Sequence, residues 1–212
     1  MCLVADGLGG EAAGELASRI FPETIAEVFE YSKNSFEREI VEHVQESFRL
    51  ANENILAHVR LNPHHKGMGC TAELMVFSNE GFVFGHLGDS RTYRLRKGFL
   101  KQLTQDHSLV QDQLNKALFT SEIARKHSLR HVILRAVGIN EQLTLDLIRG
   151  RVYPEDQFLL CSDGLTVMVE DSQIQKTLSS SMTLNQKVQS LVEMALSAGG
   201  TDNINAVLAQ TE

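Results

Sequence analysis

The chain is short of several things, and each shortage narrows what it can be. Its 212 residues hold only three cysteines, Cys2, Cys70 and Cys161, an odd number with no C-x-x-C spacing. That supports neither a disulfide framework nor a thiolate metal site, and it suits a reducing, cytoplasmic setting. Positive charge is also scarce, with 20 Lys and Arg against 27 Asp and Glu and a formal net charge of -7. No electrostatic footprint for nucleic acid is present, so no nucleic-acid partner is expected. Nowhere does an apolar run approach the ~18 residues that a membrane span requires, and the four apolar residues after Met1 are too few for a signal peptide. No membrane association is expected. With three prolines and no Pro- or Ser-rich linker, repeat or low-complexity tract, residues 1–212 read as one domain.

What is present is an ordinary globular composition, 42% hydrophobic and 22% charged, with a clear switch of periodicity along the chain. Residues 11–31 read as helix. Residues 35–61 do so more strongly, with Phe36, Ile40, Val44, Phe48, Ile55 and Val59 recurring near a 3.6 period until Asn62-Pro63 stops them. Short β-type runs follow: "CTAELMVF", "FVFGHLGD", "RTYRLR" and "FLKQL", joined by connections short enough to make them antiparallel neighbours. "LTLDLI" and "DQFLLCSD" supply two further strands, residues 184–198 a helix, and "INAVLA" a last strand. Two helices, a block of antiparallel strands, two helices and a closing strand predict helices outside β-sheets. Residues 107–140, with helical pieces but poor periodicity, read as a flap over an active site.

The acids carry the chemistry. Asp6 ends "CLVAD", Asp89 ends "VFGHLGD", Asp163 ends "FLLCSD", and Asp202 stands in "GGTDNINAVLA" before the final strand. Small residues beside each, Gly7, Ser90, Gly164 and the Gly199-Gly200 pair, let the backbone turn tightly. Any one Asp-Gly pair is an ordinary turn. Four carboxylates collected at one sheet rim repel one another, and a hard divalent cation bound through oxygen relieves that repulsion. With little Cys or His in these positions, the donor set selects Mg²⁺ or Mn²⁺ over Zn²⁺ or Cu²⁺. Two such ions together activate water and clamp a phosphoryl group. A competing template, G-x-G-x-x-G/A at Gly7, Gly9 and Ala12, suggests dinucleotide binding, but Asp6 would face the pyrophosphate and no acid-ended strand follows about 20 residues later.

The ordered segments "VADGLGG", "GCTAELMV", "GHLGDSRTYRLRKG", "LTQDHSLV", "LCSDGL" and "GGTDNINAVL" resemble the bacterial-type metal-dependent serine/threonine protein phosphatases of the type 2C family, over almost the whole chain. "LFTSEIARKHSLRHVILRAVG" resembles that family's flap segment less closely. The resemblance implies an α+β fold, an α-β-β-α sandwich of two antiparallel sheets flanked by helix pairs, with the metal centre in a cleft at one edge. It implies that Asp6 bridges two ions, Mn²⁺ or Mg²⁺, that the Gly7 carbonyl binds the first, and that Asp163 and Asp202 bind the second. Asp89 with Asp163 would hold a third, weaker ion. Asp6, Asp163 and Asp202 are then the catalytic set, serving direct attack of an activated water on phosphoserine or phosphothreonine. The partner is a phosphoprotein, and a serine/threonine kinase opposes the enzyme. The chain starts after the family's first strand and its phosphate-gripping arginine, which predicts weak activity and a free edge beside Asp6. Leu8 stands where many eukaryotic members carry a histidine, as is common in bacterial-type members.

Other conspicuous residues read as structural. His64-His65 reads as a solvated loop, His107 as a support below the cleft, Arg91 as a salt-bridge partner, and Cys161 as a small hydrophobe. The alternative function is a catalytically weak or inactive phosphatase-like module that binds metal or phosphoprotein.

Overall fold

The computed structural model describes residues 1–30, 36–79, 81–120, 123 and 127–212. The chain runs β1 (Cys2–Val4), β2 (Gly7–Leu8), α1 (Glu11–Phe29), α2 (Glu37–Leu61), β3 (Gly69–Cys70), β4 (Ala72–Phe77), β5 (Phe82–Leu87), β6 (Arg91–Arg96), β7 (Phe99–Gln102) and α3 (Leu109–Asn115). It continues β8 (Asp146–Gly150), β9 (Gln157–Cys161), α4 (Asp163–Thr166), α5 (Asp171–Leu178), α6 (Leu184–Ser197) and β10 (Ala206–Gln210).

Two antiparallel sheets form, a first in the order β1-β4-β5-β8 and a second in the order β10-β9-β6-β7. The shortest passage from the first to the second is the connection Gly88-Asp89-Ser90 between β5 and β6. Alternation along the strands sorts the side chains into three layers. Ala72, Leu74, Val76, Val83 and Leu87 turn outward onto α1 and α2, where Phe21 meets Phe48 edge-on at 5.1 Å. Tyr93, Leu95, Leu159 and Cys161 turn outward onto α5 and α6. Met75, Phe82, Phe84, Phe158 and Leu160 fill the space between the sheets. This is the α-β-β-α sandwich that the resemblance implies.

Several details differ from the sequence reading. The strand expected in "LTLDLI" is displaced to Asp146–Gly150, because pairing with β5 runs Phe82↔Gly150 to His86↔Asp146. Phe36 stands before α2 as its extended N-cap, and the expected start at residue 35 lies outside the described residues. The single turn α4, directly after β9, is not signalled by any period. The dinucleotide template fails on topology: β1 pairs antiparallel with β4, and no parallel β-α-β unit surrounds Gly7. His64 and His65 sit on a 3-10 turn with their rings 4.2 Å apart, and His65 Nδ1 lies 2.8 Å from His58 Nε2. Among the described residues no helix is long and apolar enough to cross a membrane.

Within 107–140, both ends are tied to the sandwich. His107 N donates to the Gly88 carbonyl at 2.7 Å, Val137 exchanges backbone hydrogen bonds with Cys70 at 3.0 Å, and Asn52 accepts the Gly138 N–H at 2.7 Å. Among the described residues between, α3 is the longest element.

Candidate metal centre

The four aspartates read from the sequence stand at the ends of four different strands or connections, and the fold gathers them at one rim. Asp6 follows β1. Its N–H donates to Thr71 Oγ1 at 3.1 Å, and its carbonyl accepts from Thr71 N at 2.8 Å, which anchors it to the start of β4. Gly7 continues into β2 opposite Cys70. Only glycine fits there, since a Cβ would lie 2.2 Å from the Gly14 carbonyl oxygen at the start of α1.

Asp163 opens α4 directly after β9. Beside it, Ser162 staples the Asp202 loop in place: its Oγ donates to the Asn203 carbonyl at 2.9 Å and accepts from Asn205 N at 3.0 Å. Gly164 permits that approach, because a Cβ there would sit 2.3 Å from the Asn203 carbonyl oxygen. Asp89, 8% exposed, lies in the connection between the sheets.

The electrostatics show that these acids share one place. Burial pushes the Asp6 carboxyl up to about 7, and the charges of Asp163 and Asp202 push in the same direction. Burial pushes Asp89 up to about 8, again with Asp163, Asp106 and Asp6 adding to it. Asp163 is raised by burial and by Asp202. At Asp163, burial and the charge of Asp202 outweigh the opposing charges of His131 and Arg91, so the clustered carboxylates favour a bound cation.

A cavity of about 1020 Å³ opens against Asp89 and Asp163, with Arg91, Arg130, His131 and Val169 also in its wall. Arg91 is committed to Asp106, with Nε at 2.9 Å and Nη2 at 2.7 Å from its carboxylate oxygens, a two-pronged ion pair. The salt-bridge reading of Arg91 holds, while Asp106, its partner and a source of field at Asp89, is not singled out by sequence pattern. His131 Nδ1 lies 4.0 Å from Asp163 Oδ2. His107 is buried below the rim, accepting from Gly88 N at 3.2 Å and lying 3.2 Å from Asp146. Cys161 is fully buried and its thiol is raised by burial, so it is no nucleophile.

The donors at the rim are carboxylate oxygens and backbone carbonyls, hard ligands that fit Mg²⁺ or Mn²⁺. Among the described residues no three His, Cys, Asp or Glu side chains close around a single point. A cation bound here would draw on one or two carboxylates at a time, with water completing its shell, which is the habit of Mg²⁺.

Known proteins resemble this chain over nearly its whole length. The family model described as Protein phosphatase 2C matches residues 1–210. The chain is 32% identical over 211 residues to the serine/threonine phosphatase stp of Listeria monocytogenes, covering 99% of this chain and 84% of that protein. The serine/threonine phosphatase of S. agalactiae superposes with a TM-score of 0.94 at 31% identity, covering 99% of this chain and 86% of that one. The catalytic domain of the serine/threonine protein phosphatase PstP, solved in complex with 2 manganese ions, superposes with a TM-score of 0.86 at 32% identity, covering 99% and 87%.

Proposed function

The chain belongs to the protein phosphatase 2C family and is a protein serine/threonine phosphatase, and from that premise we propose that it hydrolyses phosphoserine and phosphothreonine on proteins at the Asp6–Asp89–Asp163–Asp202 rim. The observation that supports the placement is that Asp89 and Asp163 line one cavity, with the charge of Asp163 adding to burial in raising both Asp6 and Asp89. Asp6, the Gly7 carbonyl, Asp163 and Asp202 would hold two divalent ions, Mn²⁺ or Mg²⁺, and Asp89 with Asp163 would hold a third, weaker one. The PstP domain with its manganese ions supports two of these and the choice of metal. When bound, the ions activate water and neutralise the oxygens of the phosphoryl group.

The chain's own residues do the rest. The raised carboxyls of Asp6 and Asp89 would have to give up protons to serve as ligands, so ion binding is expected to strengthen with rising pH. Ser162 and Gly164 hold the Asp202 loop against Asp163. Arg130 brings a guanidinium to the cavity wall, where it meets the substrate phosphate. Residues 1–212 act as one catalytic domain, with the stretch about 107–140 as its flap. The enzyme works in the cytoplasm against a serine/threonine kinase, a setting that the three free thiols suit.

The test is hydrolysis of p-nitrophenyl phosphate with Mn²⁺. Turnover is expected to vanish with chelator and in Asp163→Asn, while that variant melts at or above the wild-type temperature because one repelling charge is gone. Mn²⁺ binding without any turnover in the unaltered chain would identify a phosphoprotein-binding module instead.

A further inference from the structure

Glu73 on β4 and His86 on β5 face each other across the strand register, and both point into the space between the sheets. Neither side chain exposes any surface. Removing such a pair from water is costly, and apolar residues of the same volume serve a core as well or better. Cohesion alone therefore does not account for them.

Their partners show what they do. His86 Nδ1 donates to the Glu73 carboxylate, and His86 Nε2 donates to the Gln105 carbonyl at 2.9 Å. The second oxygen of Glu73 accepts from Thr92 Oγ1 at 2.8 Å, and Thr92 lies on β6 of the other sheet. Burial opposes charge on both groups, while each favours the charged form of the other, so the proton is shared along the His86–Glu73 contact.

Each arm ends beside the rim. Thr71, two positions before Glu73, carries the anchor of Asp6, and its hydroxyl lies 2.7 Å from Ser90 Oγ. His86 stands three positions before Asp89. Gln105 precedes Asp106, and Thr92 follows Arg91, the two ends of the ion pair in the cavity wall.

We propose that Glu73, His86 and Thr92 are positioning residues for the metal centre: they bolt the two sheets at a fixed offset, so that Asp6 from the first sheet meets Asp163 from the second. Apolar layers slide and repack at small cost, whereas hydrogen bonds weaken steeply with angle and distance. The inference rests on the assignment of Asp6, Asp89 and Asp163 as metal ligands.

The test measures Mn²⁺ affinity of the full chain by calorimetry, beside its melting temperature in chelator. The apolar variant Glu73→Leu/His86→Leu/Thr92→Val is expected to keep most of its stability but to bind Mn²⁺ about 10-fold or more weakly, the scale on which outer-shell partners act. Thr92→Val, which removes only the donor that crosses between the sheets, is expected to bind about fivefold more weakly. Glu73→Gln, whose amide accepts from Thr92 and donates to a neutral His86, should stay within about twofold of wild type.

Wild-type affinity in both the apolar variant and Thr92→Val overturns the proposal, and if the apolar variant does not fold, Thr92→Val decides alone. Equal weakening in Glu73→Gln would assign the effect to charge and overturn it as well. Asp163→Asn is measured in parallel. If it alone weakens binding, only the positioning role falls; if it too binds like wild type, the ligand assignment falls and takes the proposal with it.

Discussion

The layer between the two sheets has two ends of opposite character. At one, Phe158 receives Phe82 and Phe77 edge-on, with ring centroids 5.3 and 5.6 Å away. At the other, Glu73, His86 and Thr92 exchange hydrogen bonds with no exposed surface on the charged pair. Aromatic contacts have broad minima and tolerate small shifts, while hydrogen bonds fix direction. The same pair of sheets is thus held by packing where it needs cohesion and by directed bonds where four acids have to converge.

The sharpest way to break this contrast is at the aromatic end. Phe158→Ala should cost ~3–5 kcal/mol in denaturant unfolding, the range for a buried ring, while Mn²⁺ affinity of the folded protein stays near wild type. A collapse of affinity together with stability would erase the distinction between the two ends. The opposite pattern is expected at the rim. Gly164→Ala pushes a Cβ onto the Asn203 carbonyl, a backbone atom that cannot swing aside, so stability falls by ~1–3 kcal/mol but Mn²⁺ affinity falls about 10-fold or more. Calorimetry and melting on the same sample separate these outcomes, and unchanged affinity would show that the Asp202 loop tolerates displacement.

A third measurement uses protons in place of mutations. With metal removed, Asp6 and Asp89 keep carboxyls at about 7 and about 8, burial being the first cause and neighbouring carboxylates the second. The folded state then holds protons that the unfolded chain has already released. The stability from these groups is complete below the ordinary carboxylate range and is lost as pH rises through about 7 to 8. Melting in chelator is expected to fall by several degrees between pH ~5 and pH ~9, and Asp89→Asn should flatten the curve. A melting temperature that climbs across that window would mean the acids are not crowded. The smallest effect is a matched pair: Phe82→Leu and Thr92→Val should each cost about 1 kcal/mol, with only the second touching metal affinity.

How much of this is legible in the sequence varies along the chain. Asp6, Asp89 and Asp163 are readable because each interrupts an apolar run at its end, and a charge there needs a reason. Glu73 and His86 are harder. "CTAELMVF" and "FVFGHLGD" form strands buried on both faces, so their apolar residues run together and no alternation shows which face a residue takes. The available signal was a charged or titratable residue inside an otherwise apolar strand, one per strand and opposite each other in register. Asp106 hides for a different reason: it stands in a loop, where acids are common, and only the fold brings Arg91 to it. The stretch 107–140 reads poorly because its ends are fixed by partners distant in sequence, Gly88 at His107 and Cys70 and Asn52 at Val137 and Gly138, and by no local period.

The connection Gly88-Asp89-Ser90 has a consequence for the time course of folding. The hairpins on either side of it, β4–β5 and β6–β7, close through short turns and need no other part of the chain. The contacts that bring the remaining acids to Asp89 span far more sequence: 65 residues from Asp6 to Thr71, 70 from Arg91 to Cys161, and 41 from Ser162 to Asn203. Closing loops of that length is slow relative to hairpin formation. Asp89 is therefore in place early, as a lone carboxylate between two hairpins, and Asp6, Asp163 and Asp202 reach it last. A refolding chain gains about half of its β-structure, the two hairpins, before it gains a metal centre, and Mn²⁺ acts on the final docking steps without serving as a nucleus. Stopped-flow refolding should show the β-signal rising ahead of metal uptake, with the first phase indifferent to Mn²⁺.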